Sequence, residues 1–153
     1  MARSFVRAVV NPLSGEEITF VSETPELLVM ENLWPRPGRR AVEHVHPGME
    51  ERWEVLEGTA GFRIGGEESL CGPGESAVAP PGVAHLAWNA GEGPARVRVE
   101  MRPALRWREF VERMCANGGV PDPALLREFA AEVAPGRHLG GASSSQRDER
   151  RGY

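Results

Sequence analysis

Closely spaced turn residues limit most of this chain to short elements of secondary structure. From Phe5 to about Met101, groups of Gly, Pro, Asn and Ser recur every few residues, as at Gly65-Gly66 and Pro80-Pro81-Gly82. Strands of roughly four to eight residues fit between such signals, whereas helices of ordinary length do not. This spacing predicts an antiparallel sandwich or barrel.

The segments between the turns alternate in polarity. Val97, Val99 and Met101 alternate with charged residues, and Gly65-Gly66 separates GFRI from EESL. Alternation with a period of two residues is typical of strands that bury one face. A glycine pair between two such segments predicts a tight hairpin.

The pattern changes after Pro103. Apolar residues then recur at helical spacing in two stretches, which predicts two helices. The first stretch ends at Asn117-Gly118-Gly119. The second begins at the N-cap Asp122 and ends at Pro135-Gly136. The apolar positions are Trp107, Phe110, Val111 and Met114 in the first stretch, and Leu125, Leu126, Phe129 and Val133 in the second. We therefore expect a barrel domain over residues 1–102, a helical extension packed on it over 103–139, and a flexible polar tail over 140–153.

Length, charge and cysteine usage limit the partners and the location. The 153 residues are enough for one domain, and the net charge of -4 offers no basic surface for nucleic acid. No apolar run reaches the roughly 18 residues that a membrane span needs, and no signal peptide is recognisable. Cys71 and Cys115 form no closely spaced pair. We expect a cytoplasmic protein with no nucleic-acid or membrane partner.

Two of the four histidines stand one residue apart in the stretch EHVHPGMEER. His44 and His46 would share one face of a strand, Pro47-Gly48 would turn the chain, and Glu51 would open the next strand. Two imidazoles and a carboxylate would then meet across a hairpin. Because solvent-exposed histidines produce the same spacing, this stretch alone leaves both a metal site and a charged surface turn open.

A second stretch lies farther along the chain and carries a third histidine. In GESAVAPPGVAHLAWN, His85 follows a Pro-Pro-Gly turn, and Ala87 and Asn89 would share its strand face. We expect Asn89 to satisfy backbone groups at a strand end. The fourth histidine, His138, lies between the second helix and the polar tail, where solvent exposure is expected.

The two stretches together resemble the two signature motifs of the cupin superfamily. The first has the order Gly38, five residues, His44, one residue, His46, four residues, Glu51, six residues and Gly58. The second has the order Gly74, five residues, Pro80, one residue, Gly82, two residues, His85, three residues and Asn89. The motif also tolerates a three-residue spacer, which would make Glu50 the ligand, but only Glu51 leaves six residues before Gly58.

The resemblance implies a fold and a metal site. The fold would be all-β, an antiparallel double-sheet, jelly roll-like barrel with a C-terminal α-helical extension. One divalent transition metal would be bound inside by His44, His46, Glu51 and His85. Three imidazoles and a carboxylate suit Fe, Mn, Ni, Co, Cu or Zn, and four ligands on an octahedral ion leave two positions open for catalysis.

Two kinds of function agree with such a site. The first is an enzyme for a small apolar or aromatic, enolisable substrate, either dioxygenase-like or a Lewis-acid cyclase or isomerase, in which Glu51 also takes a proton. The alternative is a non-enzymatic small-molecule-binding or sensor protein. Candidates for the walls of a substrate pocket are Trp53, Val55, Phe62 and Ala87, with Trp34 or Trp107 at the mouth. The resemblance also implies a homodimer.

Overall fold

A computed structural model describes residues 7–38 and 42–136 of the protein. Eleven strands and two helices form within these residues. The strands are β1 Arg7–Val10, β2 Glu17–Thr24, β3 Leu27–Trp34, β4 His44–Val45, β5 Glu50–Glu57, β6 Ala60–Ile64, β7 Glu67–Cys71, β8 Ser76–Ala79, β9 His85–Asn89, β10 Ala95–Arg102 and β11 Ala134–Pro135. The helices are α1 Trp107–Ala116 and α2 Pro123–Glu128.

The strands form two antiparallel sheets. One has six strands in the order β1-β2-β3-β10-β5-β8, and the other has five strands in the order β11-β4-β9-β6-β7. Strands that are distant in sequence, such as β3 and β10, are neighbours in the first sheet. The all-β fold class expected from the sequence is confirmed.

Alternation along the strands separates the core from the surface. On β10, Val97, Val99 and Met101 are buried. Arg96 and Arg98, which alternate with them, form ion pairs with Glu57 and Glu100 on the outer face. This division is the one that the sequence pattern predicts, because successive side chains of a strand point to opposite faces.

Glycines permit the turns that bring the two motifs together. Gly65 and Gly66 form the predicted hairpin turn between β6 and β7 with φ of 59° and 88°. Gly58 directly follows β5 and has a φ of 81°, and a Cβ atom there would lie only 2.9 Å from the Cα of Ala95. An L-residue at position 58 would therefore meet both an unfavourable backbone conformation and a backbone clash.

The first helix agrees with its prediction, and the second is shorter than predicted. α1 buries Phe110, Val111 and Cys115. Asp122 caps α2 as expected, since its side chain accepts a hydrogen bond of 2.8 Å from the Leu125 amide. The helix nevertheless ends at Glu128 and does not continue to Pro135.

Strand pairing accounts for the early end of α2. β11 pairs with β4, so that Ala134 lies opposite Val45 and Pro135 opposite His44. A continuous helix would leave this edge of β4 without hydrogen-bond partners, whereas the turn after Phe129 places residues 134–135 beside it. Val133 is buried as predicted, but it follows the turn at residues 129–132 and does not lie on a helix.

Several sequence predictions fall outside the described residues. His138 and the predicted tail at 140–153 are among them. The division into residues 1–102, 103–139 and 140–153 stays a prediction. Neither helix in the described ranges is long and apolar enough to cross a membrane.

Candidate metal centre

Four side chains from three strands and one connecting turn converge inside the protein. One nitrogen from each of His44, His46 and His85 and one oxygen of Glu51 all lie within 4.8 Å of one another. His46 and His85 are each only 1% exposed, and Glu51 is 8% exposed. We call these four residues the His3Glu cluster. Its members are the four residues that the cupin resemblance implies as ligands.

Strand register brings these residues together. β4 pairs with β9 so that His44 lies directly opposite His85. Glu51 is on β5, in the other sheet, where it alternates with outward-facing residues and shares its buried face with Trp53 and Val55. Glu50 pairs with Arg102 at the end of β10 and is not part of the cluster.

The three imidazole rings are held in the same tautomer. Each ring places its Nδ1 within hydrogen-bond distance of a backbone carbonyl, which can only accept, so each Nδ1 carries the proton. The pairs are His44 with Val42 at 2.8 Å, His46 with Glu132 at 2.9 Å, and His85 with Val83 at 2.9 Å. The Nε2 atoms are thereby left for the cluster. Histidines that bind a metal through one ring nitrogen usually donate the N–H of the other nitrogen to a carbonyl or carboxylate.

The arrangement of lone pairs calls for a positive charge at the centre. Nε2 of His46 lies 2.9 Å and Nε2 of His85 lies 3.2 Å from the same oxygen of Glu51. If both rings were neutral, with their protons on Nδ1, lone pairs would face a carboxylate at these distances. A proton on Nε2 or a metal cation relieves that repulsion, and the donor set suits a divalent transition metal.

The pKa values of the cluster follow from burial and mutual contact. Burial alone would raise the pKa of Glu51, but the imidazoles of His46 and His85, which donate to the carboxylate when a proton is on Nε2, hold that pKa well below its usual range. Burial opposes protonation of His85, yet contact with Glu51 leaves its pKa raised. Burial, together with the charges of the other two rings, lowers the pKa of His44 to about 4. At neutral pH the cluster thus contains an ionised carboxylate and a neutral His44.

The C-terminal segment forms one wall of the cluster. The Trp107 ring of α1 stands edge-on to the His46 ring at a centroid distance of 4.8 Å. The Gly136 amide donates to the Glu43 carbonyl at 3.1 Å, next to the pairing of β11 with β4. Sequence reasoning missed the support that Glu132 gives to His46, because the acceptor is a backbone carbonyl and no residue type marks it.

The predicted pocket residues lie in the core beside the cluster. Trp53, Val55 and Phe62 are buried, and the Trp53 ring lies 5.5 Å from the His85 ring and 4.9 Å from the Phe62 ring. Ala87 is partly buried and lies opposite Phe62 on the neighbouring strand. These contacts show core packing, and a role in binding substrate stays a prediction.

Asn89 satisfies backbone groups as the sequence suggested, and both cysteines lie outside the candidate metal centre. The Asn89 side chain donates to the carbonyls of Trp34 and Gly93 at 3.0 and 2.9 Å, and it therefore closes a strand end. Cys71 and Cys115 are buried free thiols whose pKa values burial raises. Neither belongs to the His3Glu cluster.

Comparison with known proteins agrees with the fold and the motifs. The sequence model of the cupin domain matches residues 35–101. A solved protein with a double-stranded β-helix domain from Klebsiella pneumoniae is 31% identical over 57% of this chain and 76% of its own, with a TM-score of 0.51. The chain belongs to the cupin superfamily. No curated protein sequence matches this cupin significantly.

Other solved cupin-like structures share the fold at lower identity. An RmlC-like cupin from Shewanella frigidimarina is 18% identical, covers 65% of this chain and 86% of its own, and has a TM-score of 0.58. KdgF from Halomonas sp. is 22% identical, covers 61% of this chain and 85% of its own, and has a TM-score of 0.56. At such identities the likeness extends to the fold of this cupin and not to its activity.

Proposed function

We propose that this cupin is a metal-dependent enzyme acting on a small apolar or aromatic, enolisable substrate. The convergence of three imidazoles and one carboxylate within 4.8 Å carries this proposal, with His46, Glu51 and His85 buried and His44 partly buried. Burying four such polar groups is costly unless they are satisfied, and a divalent cation would satisfy all four together. Four protein ligands would leave coordination positions open, as a catalytic site requires.

The proposed chemistry divides between the ion and the protein. A bound transition metal would act as a Lewis acid toward a substrate oxygen or would support dioxygenase-like redox chemistry. Glu51, the only carboxylate of the cluster, would accept a proton from the substrate. Trp53, Val55, Phe62 and Ala87 would exclude water, which strengthens electrostatic interactions at the cluster.

The alternative proposal is a protein that binds or senses a small molecule without transforming it. The same cluster would then hold the ligand through a metal. The substrate, the metal and the reaction type are therefore the properties to be measured. The two buried, unpaired cysteines support a further proposal, that the protein works in the reducing cytoplasm.

The first experiment is elemental analysis of protein purified without a metal-chelating tag. We expect one equivalent of Fe, Mn, Ni, Co, Cu or Zn in the natural protein and almost none in His46→Ala. Glu50→Gln is the matched control, because Glu50 neighbours Glu51 in sequence but lies outside the cluster. A natural protein that takes up no divalent metal would refute the proposed function.

The second experiment distinguishes enzyme from binder. If the metal is redox-active, oxygen uptake is measured with catechols, flavonols and β-diketones; if it is zinc, cyclase and isomerase substrates are tested instead. Turnover that disappears in His46→Ala and persists in Glu50→Gln would support the enzyme. Tight binding of a compound without turnover would favour the binder.

A further inference from the structure

The side chain of Glu132 is buried although it is not one of the four candidate metal ligands. Glu132 is only 4% exposed, and it lies in the turn between α2 and β11. Its Oε2 atom accepts a hydrogen bond of 3.0 Å from the backbone amide of Arg106, the residue that precedes α1. A carboxylate is stabilised near the positive N-terminal end of a helix, but burying it is costly unless it makes a specific contact. The hydrogen bond from Arg106 is such a contact.

The main chain of the same residue supports a candidate metal ligand. The Glu132 carbonyl accepts the hydrogen bond of 2.9 Å from His46 Nδ1, and the His46 ring is buried. A side chain that is held in place limits the directions in which the carbonyl of its own residue can point. Glu132 therefore links the beginning of α1 to the His46 ring.

The opposite end of this link also leads to His46. Arg106 is followed directly by Trp107, whose ring stands edge-on to the His46 ring at a centroid distance of 4.8 Å. The contacts thus form a closed path from His46 to Glu132, from there to the Arg106 amide, along the chain to Trp107 and back to His46. A ring that is supported on two sides by groups that also hold each other has little freedom to turn.

The segment that carries Glu132 is attached on both sides of it. We call residues 129–136 the C-terminal strap. Phe129, at its beginning, is completely buried. Pro135, near its end, lies opposite His44 in the pairing of β11 with β4. Because core packing and strand pairing hold the two ends, we expect a change confined to the Glu132 side chain to act locally and to leave the strap in place.

We propose that Glu132 is a positioning residue of the metal centre. By binding the Arg106 amide, its carboxylate fixes the Glu132 carbonyl against Nδ1 of His46, and this hydrogen bond directs Nε2 of the ring into the His3Glu cluster. The inference rests on the proposed metal function. Glu132 is not itself a ligand and acts through His46, in the way that outer hydrogen-bond partners orient metal-binding histidines.

The first test needs no metal. In protein labelled with nitrogen-15 at histidine, NMR measures how fast each Nδ1 proton exchanges with water, and the His46 signal is the one missing from His46→Ala. His85 is an internal control, because its Nδ1 donates to the Val83 carbonyl and not to the strap. We expect Glu132→Ala to accelerate exchange at His46 by about fivefold or more and to leave His85 unchanged.

Three further variants separate the hydrogen bond from the charge and from the packing of the side chain. Glu132→Gln keeps a side-chain oxygen that can accept from the Arg106 amide, so exchange at His46 should stay slow. Glu132→Met fills the same space without a comparable acceptor, and it should behave like Glu132→Ala even where the alanine variant does not fold. Glu128→Gln is the matched control, because Glu128 is an exposed glutamate that binds the Arg106 guanidinium and not its amide.

The second test is the Zn2+ affinity, measured by competition with a coloured chelator. We expect Glu132→Ala and Glu132→Met to bind Zn2+ about 10- to 100-fold more weakly than the natural protein, and Glu132→Gln and Glu128→Gln to bind it normally. Unchanged exchange at His46, equal acceleration at His46 and His85, or unchanged Zn2+ affinity in Glu132→Met overturns the positioning role. A natural protein that binds no Zn2+ or other divalent metal refutes the proposed function instead, and the exchange measurement reports on Glu132 in either case.

Discussion

Replacing Glu16 by glutamine should change how the stability of the protein depends on pH. Burial raises the pKa of Glu16 from 4.5 in an unfolded chain to about 7 in the folded protein, so the folded protein retains this proton over that range. The stabilisation is fully present below pH 4.5 and is lost as the pH rises through about 7. At about 1.4 kcal/mol for each pH unit, the loss amounts to about 3 kcal/mol. Glutamine has no proton to lose and can still accept the hydrogen bonds that Asn32 Nδ2 and Trp34 Nε1 donate to Glu16.

Urea unfolding between pH 5 and pH 8.5, with a chelator present to exclude metal, measures this difference. The free energy of unfolding of Glu16→Gln minus that of the natural protein should increase by about 2 to 3 kcal/mol across the range. The cluster residues titrate in both proteins and cancel, and Glu17→Gln is the matched control. A difference that stays constant with pH would show that Glu16 is ionised at its ordinary pKa and would refute the reasoning.

Three further predictions concern packing, metal support and assembly. Gly61→Ala should lower the free energy of unfolding by about 1–3 kcal/mol, because the Cβ of alanine would overlap the Trp88 ring. An unchanged midpoint of urea unfolding would contradict this prediction. Trp107→Leu should weaken Zn2+ binding about tenfold, because the His46 ring would lose the aromatic contact that holds it. Competition with a coloured chelator measures the Zn2+ affinity. An unchanged affinity would show that this ring contact does not support the site. We also propose a homodimer, for which light scattering should give twice the mass of one chain; the mass of a single chain would exclude it.

The local pattern predicted the elements that depend on neighbouring residues. Because strand side chains alternate, the order of Val97, Val99 and Met101 was enough to assign their buried face. The same period placed His44 and His46 on one face, and the motif spacing favoured Glu51 over Glu50. Gly65-Gly66 and Asp122 indicated a hairpin and a helix cap through their own backbone and hydrogen-bonding preferences.

Contacts between distant segments could not be predicted in this way. The end of α2 at Glu128 depends on the need of β4 for a pairing partner, which no residue of α2 reveals. The support of His46 by Glu132 uses a carbonyl that every residue possesses. Glu16 carried no motif, and its burial follows from where β2 and β3 pair.

By itself, the sequence determined the period of the strands, the turns between them and the set of side chains able to bind a metal, because these depend on residue type and spacing along the chain. Only the tertiary structure decided which nitrogen each imidazole presents and that the Glu132 carbonyl holds the His46 ring. These properties depend on hydrogen bonds and charges between segments that folding alone brings together.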